Sequence, residues 1–360
     1  MLLLLDAGDD DALLLYYMTE RENALGQHAK VTSIDGRARF SFNNLSTRHG
    51  ISALDFCRFT EDEVDSLSNN LLPEEWKCNK VCISRKEALT IVLRRFAYPN
   101  RWVDLITYFH RSAGELCTIF TDTIMKLSEH ADRVLDFKCD RIRPILHELA
   151  QVTVNSGSPF PCIIGFIDGT GREVCRPTVG QEAIFSGHHR DHELKYQSII
   201  LPTGLGFLYG PEAGRHHDMY LFQDSIEDEL AFNLHDDQGN FYALFGDQGY
   251  CRRPGLQCPV KKVRLREDEA ALNASMSTLR QVVEWIFGCV LAQFRFLDFP
   301  LTQRILMSPV AAWYRVAYFL YMCQGCMRGQ NQVSLYYDTV MPTLQQYLQI
   351  DIIPLQSIYR

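Results

Sequence analysis

Three carboxylates stand in related settings. Asp168 closes a short apolar run in GFIDGTGREVCRP (Gly165–Pro177), and Asp247 closes another in YALFGDQGY (Tyr242–Tyr250). Glu284 lies inside ASMSTLRQVVEWIFGCVLAQFRFL (Ala274–Leu297), on the helical face of Arg280, Phe287 and Gly288. Asp218, preceded by Gly214 and His216-His217, is a fourth candidate. A charge buried at a strand end is costly unless it is paired or binds a metal. Clustered carboxylates repel one another unless a cation sits among them. A set of hard oxygen donors with no His or Cys requirement suits Mg²⁺ or Mn²⁺. Two such ions can activate a water or a 3′-hydroxyl and stabilise the leaving oxygen of a phosphodiester. Any one of these acids alone reads more simply as a helix cap or a surface ion pair. The recurrence of Ile-Asp-Gly-Thr and Gly-Asp-Gln-Gly-Tyr, followed by a helical Arg-x-x-x-Glu, favours a cluster. Arg280 is spaced to orient Glu284 through an i,i+4 pair. A strand end fixes a ligand better than a loop before a helix, so Asp247 ranks above Asp218.

The elements that would position these groups follow from periodicity. PCIIGFID and REVCRP read as two strands separated by a Gly-containing turn. LKYQSIILPTGLGFLYG (Leu194–Gly210) reads as a hairpin turning at Pro202-Thr203-Gly204. His217–Phe232 reads as one amphipathic helix, Tyr242–Tyr250 as a strand, then an irregular basic stretch, the long helix Ala274–Leu297 and an apolar helix Ser308–Met327. If the first and fourth strands are neighbours, Asp168 and Asp247 meet at one sheet edge, and a helix packed there brings Glu284 to them. The order predicts an α/β fold, a mixed sheet flanked by helices.

Ahead of it, residues 46–155 look helical. Glu87–His130 is broken once at Pro99-Asn100, and Ser112 with Glu115 forms a capping-box pattern. Helix, short turn, helix (Arg101–His110, Ala113–Leu127) outlines a helix-turn-helix, with a plain helical hairpin as the alternative. The division expected is an acidic arm over 1–45, a helical region over 46–155, the α/β region over 156–335 and a tail over 336–360.

The bulk numbers narrow the class. Apolar content of 46% and charged content of 22% are those of a globular protein, and there is no apolar run long enough for a membrane span. The opening Met1–Leu5 is too short for a signal core and is followed by Asp9-Asp10-Asp11, so the chain reads as neither secreted nor membrane-bound. Twelve scattered cysteines with one CxxC, Cys323–Cys326, read as free thiols rather than a zinc site. The net charge of −8 argues against coating nucleic acid by bulk charge and leaves room for a local basic groove.

Taken together, FIDGT (Phe166–Thr170), GRHHD (Gly214–Asp218), FGDQGY (Phe245–Tyr250), LNASMSTLRQVVEWIFG (Leu272–Gly288) and FRFL (Phe294–Leu297) resemble the PIF/Harbinger-type transposases of the DDE superfamily, in the same order and at similar spacing. The resemblance covers roughly 160–330. It implies an RNase H-like fold, DNA cleavage and strand transfer with a divalent metal, and Asp168, Asp247 and Glu284 as metal-binding acids, with Asp218 also on an acidic position of the pattern. It raises the helix-turn-helix reading above the plain hairpin. It also implies a nuclear protein acting on transposon ends or target DNA, with a Myb-like DNA-binding partner and possible self-association. Lys261, Lys262 and Arg264 are placed to contact phosphates near the acids, and Lys126 is the one cation on the helix expected to read DNA. The chain departs from the pattern at Gly171 and Met219, and at Leu291 and Gln293, where the family carries basic residues; Arg295 keeps a basic group nearby. Two rival readings keep the fold: a nuclease without strand transfer, and a domesticated, non-catalytic interaction protein.

Overall fold

A computed structural model describes residues 40–78, 81–305 and 307–349. The acidic arm expected over 1–45 therefore lies outside the described residues up to residue 39, as does the expected tail from residue 350 onward. In chain order the elements are α1 (Phe42–His49), α2 (Ala53–Cys57), α3 (Glu61–Leu71), β1 (Glu75–Cys78), β2 (Val81–Ser84), α4 (Arg85–Ala97), α5 (Trp102–Phe109), α6 (Ala113–Val134), α7 (Cys139–Ile142) and α8 (Leu146–Asn155). There follow β3 (Ile163–Glu173), α9 (Gln181–Ile184), β4 (Phe185–Ser186), β5 (Asp191–Ile200), β6 (Gly206–Ala213), α10 (Asp218–Ser225), α11 (Glu227–Asn233), β7 (Ala243–Phe245) and β8 (Leu256–Gln257). The chain closes with α12 (Glu267–Gln293), α13 (Val310–Arg328), α14 (Gln332–Tyr336) and α15 (Leu344–Gln349).

Among the described residues these elements form two compact units, 40–131 with 173–192 and 291–317, and 132–172 with 193–290 and 318–349. In the first unit, α4 is buried along most of its length. Around it Phe59, Phe96, Phe120, Phe294, Phe296 and Trp313 pack ring against ring, with centroids 5.1–6.4 Å apart. A buried ion pair joins Arg111 Nε to Glu87 Oε1 at 2.6 Å. The break expected at Pro99-Asn100 separates α4 from α5. The Ser112 N–H donates to Glu115 Oε2 and the Glu115 N–H to Ser112 Oγ, so the expected capping box opens α6. The β1–β2 hairpin was expected to be helix. Its antiparallel register pairs Glu75 with Ser84 and Cys78 with Val81.

The second unit holds a mixed sheet flanked by helices, an arrangement consistent with an RNase H-like fold. Strand order runs β5-β3-β7-β8, with β6 antiparallel to β5; β4 pairs with the first residues of β5, Asp191 and His192, within the first unit. The β5–β6 turn falls where the sequence placed it, with Gly204 at φ +83°, a backbone setting that costs glycine nothing. Strand β3 departs from expectation. It runs unbroken through Asp168, Gly169 and Thr170 to Glu173 instead of turning after Asp168. The helix expected over 217–232 is two, α10 and α11, parted at Ile226. Helix α12 begins at Glu267 rather than Ala274, and its Glu267-Asp268-Glu269 first turn suits the helix dipole. Its apolar face (Met276, Leu279, Val283, Ile286, Val290) is buried, leaving Arg280 and Glu284 on another face. Tyr337 stacks on Phe166 of β3, with ring centroids 6.4 Å apart, and donates its hydroxyl to the Leu279 carbonyl at 3.3 Å. No described helix is long and apolar enough to cross a membrane.

Candidate active site

Strands β3 and β7 are adjacent and parallel, with Phe166 opposite Phe245. Asp168 and Asp247 each stand two residues beyond that pair, at the same end of the sheet. Parallel strands place their C-terminal ends together, which is where side chains can converge. Apolar, β-branched IIGFI builds β3 into the core, so Asp168 enters the site on a rigid, buried strand; its side chain is 13% exposed.

Arg280 of α12 joins two of the acids. Its Nη1 donates to Asp168 Oδ2, and its Nη2 donates to Glu284 Oε1 at 3.0 Å, one helical turn away. The other Asp168 oxygen accepts from the Gly169 N–H at 2.9 Å. Asp247 Oδ1 accepts from the Gly249 N–H at 2.7 Å, a turn that holds the carboxylate at the strand exit. Asp218, at the start of α10, lies against the β3 backbone. A Cβ built on Gly169 would fall 2.6 Å from the Asp218 Cγ, so that glycine is what lets the Asp218 carboxylate approach β3 beside Asp168.

Two further residues belong to this group and went unrecognised in the sequence. Lys195 of β5 stands 3.5 Å from Asp218 Oδ1. Gln197, two residues on along the same strand, donates to the Asp218 carbonyl at 3.1 Å and to the Tyr250 hydroxyl at 2.7 Å. Their signal was the period-2 placement of Lys and Gln in an otherwise apolar strand. Tyr250 is buried. Burial, and then the charges of Asp218, Asp168 and Asp247, push its hydroxyl well above the usual tyrosine range. The phenol thus stays protonated among the acids.

The electrostatics of Asp168 decide what the site wants. Burial pushes its carboxyl up; Arg280 opposes this, Asp247 raises it further, the Gly169 N–H lowers it and Glu284 adds a smaller push upward, leaving it at about 7. A carboxyl held that high by burial and by like charges is one that a cation would re-ionise. The oxygen donors present therefore fit a hard divalent ion in their chemistry. As the side chains stand, no three acidic, His or Cys residues among the described residues are close enough to hold one. Arg280 bridges Asp168 and Glu284.

The cations expected to contact DNA are placed as follows. Lys261 donates to the Tyr250 carbonyl at 2.7 Å, tying the basic stretch to the site residue Tyr250. Lys262 pairs with Glu269, and Asn273 holds the stretch through both backbone groups of Val260. Arg264 is exposed, next to a fully exposed Val263. Arg295 and Lys126 belong to the other unit; Arg295 stands 3.6 Å from Asp298, and Lys126 lies in the field of Asp122 on α6.

Residues 167–321 match the family described as DDE superfamily endonuclease. The match covers under half of the chain and holds all four acids and Arg280, and it supports a transposase-like nuclease whose substrate is DNA. Endonucleases of this superfamily are typically dependent on a divalent metal. No curated protein and no solved structure matches the chain.

Proposed function

We propose that the chain is a metal-dependent DNA endonuclease that cuts phosphodiester bonds with Asp168, Asp247 and Glu284, and that it is of the PIF/Harbinger type. The observation that carries this reading is the common end of β3 and β7, where Asp168 and Asp247 emerge together and Arg280 links Asp168 to Glu284, inside the span that matches the endonuclease family. Asp168, Asp247 and Glu284 would hold Mg²⁺ or Mn²⁺, with Asp218 next to them. The ion, when bound, supplies charge for activating a water or 3′-hydroxyl and for stabilising the leaving oxygen.

The protein's own groups set the rest. Arg280 keeps Asp168 and Glu284 facing one another and offsets part of their charge in the resting site. Gln197 and Tyr250 hold the start of α10, so that Asp218 stays against β3. Lys195 balances Asp218. Lys261, Lys262 and Arg264 contact DNA phosphates, Lys261 doing so beside the acids. Strand transfer at transposon ends, a nuclear location, a helix-turn-helix role for α5–α6 with Lys126, phosphate contact by Arg295, self-association and a Myb-like DNA-binding partner complete this reading. They rest on the sequence resemblance, and the net charge of −8 favours borrowing DNA affinity from a partner.

The test is Mn²⁺-dependent nicking of supercoiled plasmid by the purified protein, beside Asp168→Asn and Glu284→Gln. Nicking that requires the metal and vanishes in both variants is the expected result. Nicking retained by either variant, or indifferent to metal, overturns the assignment. A non-catalytic reading is favoured by Leu291 and Gln293, which stand where the resembled family is basic. It predicts no calorimetric Mn²⁺ binding by the wild type.

A further inference from the structure

The first unit contains a cavity of about 360 Å³, walled by α4, α5, the N-terminal half of α6 and residues 296, 302, 307–309 and 313. Its α6 wall is the stripe Gly114, Cys117, Thr118 and Thr121, on the helix that the sequence suggested for reading DNA. The hydroxyls of Thr118 and Thr121 donate to the carbonyls of Gly114 and Cys117, so their oxygens are left as acceptors only.

Arg95 is the unusual member of this wall. Its guanidinium carbon lies 4.5 Å from the Trp102 ring centroid and 4.5 Å from that of Phe296. Rings cover the guanidinium, and its edge of N–H donors is left for whatever lies in plane. Among the described residues Arg95 makes no hydrogen bond and no ion pair, and its Nε is buried without an acceptor. Two groups act on its charge, the Cys117 thiol and, after it, Asp104, which is already engaged by Arg101 through two N–H donors. Burial lowers the Arg95 pKa to about 10, and the side chain stays cationic at neutral pH. Trp313, across the cavity, also has a buried indole N–H with no acceptor. Buried donors left unmade are rare because each costs about 1–3 kcal/mol. Asp122, the acid in the lining, acts with the Cys78 thiol and Lys126 rather than with Arg95.

We infer that this cavity binds a small organic oxyanion, a carboxylate or phosphate carried on a flat apolar body. The oxyanion takes the Arg95 edge as a two-point acceptor, and the flat body lies among Trp102, Phe120, Phe296 and Trp313. The site is independent of the acids of the second unit, and its ligand needs neither metal nor DNA.

Phenyl phosphate and benzoate are the probes, with benzyl alcohol supplying the flat body without charge and inorganic phosphate the charge without a body. Binding is read by tryptophan fluorescence. It is read independently by iodoacetamide labelling of Cys117, which lines the cavity, with the exposed Cys82 and Cys251 as internal references. Saturable binding of the two aromatic oxyanions is expected, with Cys117 labelling slowed several-fold, references unchanged, and neither control matching it. Arg95→Gln should weaken binding by about tenfold or more, the loss of a charge-assisted pair. Should Arg95→Gln fail to fold, Arg95→Lys, which keeps the charge and loses the fork, carries the comparison. Equal protection by benzyl alcohol would make the cavity a plain apolar pocket and overturn the oxyanion assignment. So would wild-type affinity in either Arg95 variant, or unchanged Cys117 labelling at millimolar phenyl phosphate.

Discussion

Asp168→Asn removes a carboxyl that the fold keeps at about 7, against 3.8 as the ordinary value. Between those values the folded protein holds a proton that the unfolded chain has released. Folded-state proton binding exceeds unfolded-state binding, so stability falls as pH rises across that window and levels off above it. At about 1.4 kcal/mol per pH unit, the two units from pH 5 to the folded value amount to about 2–3 kcal/mol. The side chain is only 13% exposed, so solvent screening does little to reduce this. The asparagine variant has no such proton, and titrating groups that do not interact with Asp168 cancel in the difference. Urea unfolding in EDTA at pH 5 and pH 8 should therefore show wild type losing about 2–3 kcal/mol relative to Asp168→Asn. The loss of the Arg280 pairing shifts the variant at both pH values and leaves that slope in place. Manganese at pH 8 should restore the wild type and leave the variant unmoved. A difference that is flat with pH, or one in which the wild type gains at pH 8, would refute the claim that burial and neighbouring acids hold this carboxyl protonated.

Two further substitutions probe the scaffold. Gly169→Ala places a Cβ 2.6 Å from the Asp218 Cγ; a loss of about 1–3 kcal/mol in urea unfolding is expected as Asp218 is displaced, together with weaker Mn²⁺ binding by calorimetry. Unchanged values in both measurements would show that Asp218 does not need that glycine. Glu87→Gln strips the charge from the Arg111 ion pair, whose Glu87 side chain is 4% exposed; a loss of about 2–4 kcal/mol is expected, and a change under about 0.5 kcal/mol would mean that water replaces the carboxylate there.

Much of the site could be read before the fold was known, because its acids sit in local contexts that announce their elements. An apolar run ending in Asp reads as a strand delivering a carboxylate, and the i,i+4 spacing of Arg280 and Glu284 fixes their shared face. What was hidden depends on distant packing. Gly169 looked like a turn because glycine's usual signal is local. Here it answers to Asp218, nearly fifty residues downstream, whose carboxylate presses on the strand. Lys195 and Gln197 take on a role only when β5 is placed beside β3. The β1–β2 hairpin is short and charged, and it lay between long helical patterns that dominated the reading. The acidic start of α12 had a legible helix signal in Glu267-Asp268-Glu269, masked by the basic stretch just before it.

The chain passes between its two units five times, at 131–132, 172–173, 192–193, 290–291 and 317–318. During synthesis, Phe59 and Phe96 leave the ribosome long before Phe294 and Phe296, the rings they pack against. The earliest third of the chain must wait, partly assembled, for a segment made near the end. Contacts so far apart in sequence close large loops and slow folding, and the apolar faces stay open to chaperones and to other chains meanwhile. No single cut in the polypeptide releases either unit whole. A truncated product is therefore not a smaller version of this protein but two unfinished cores, and the cluster of acids is framed only once nearly all of the chain has been made.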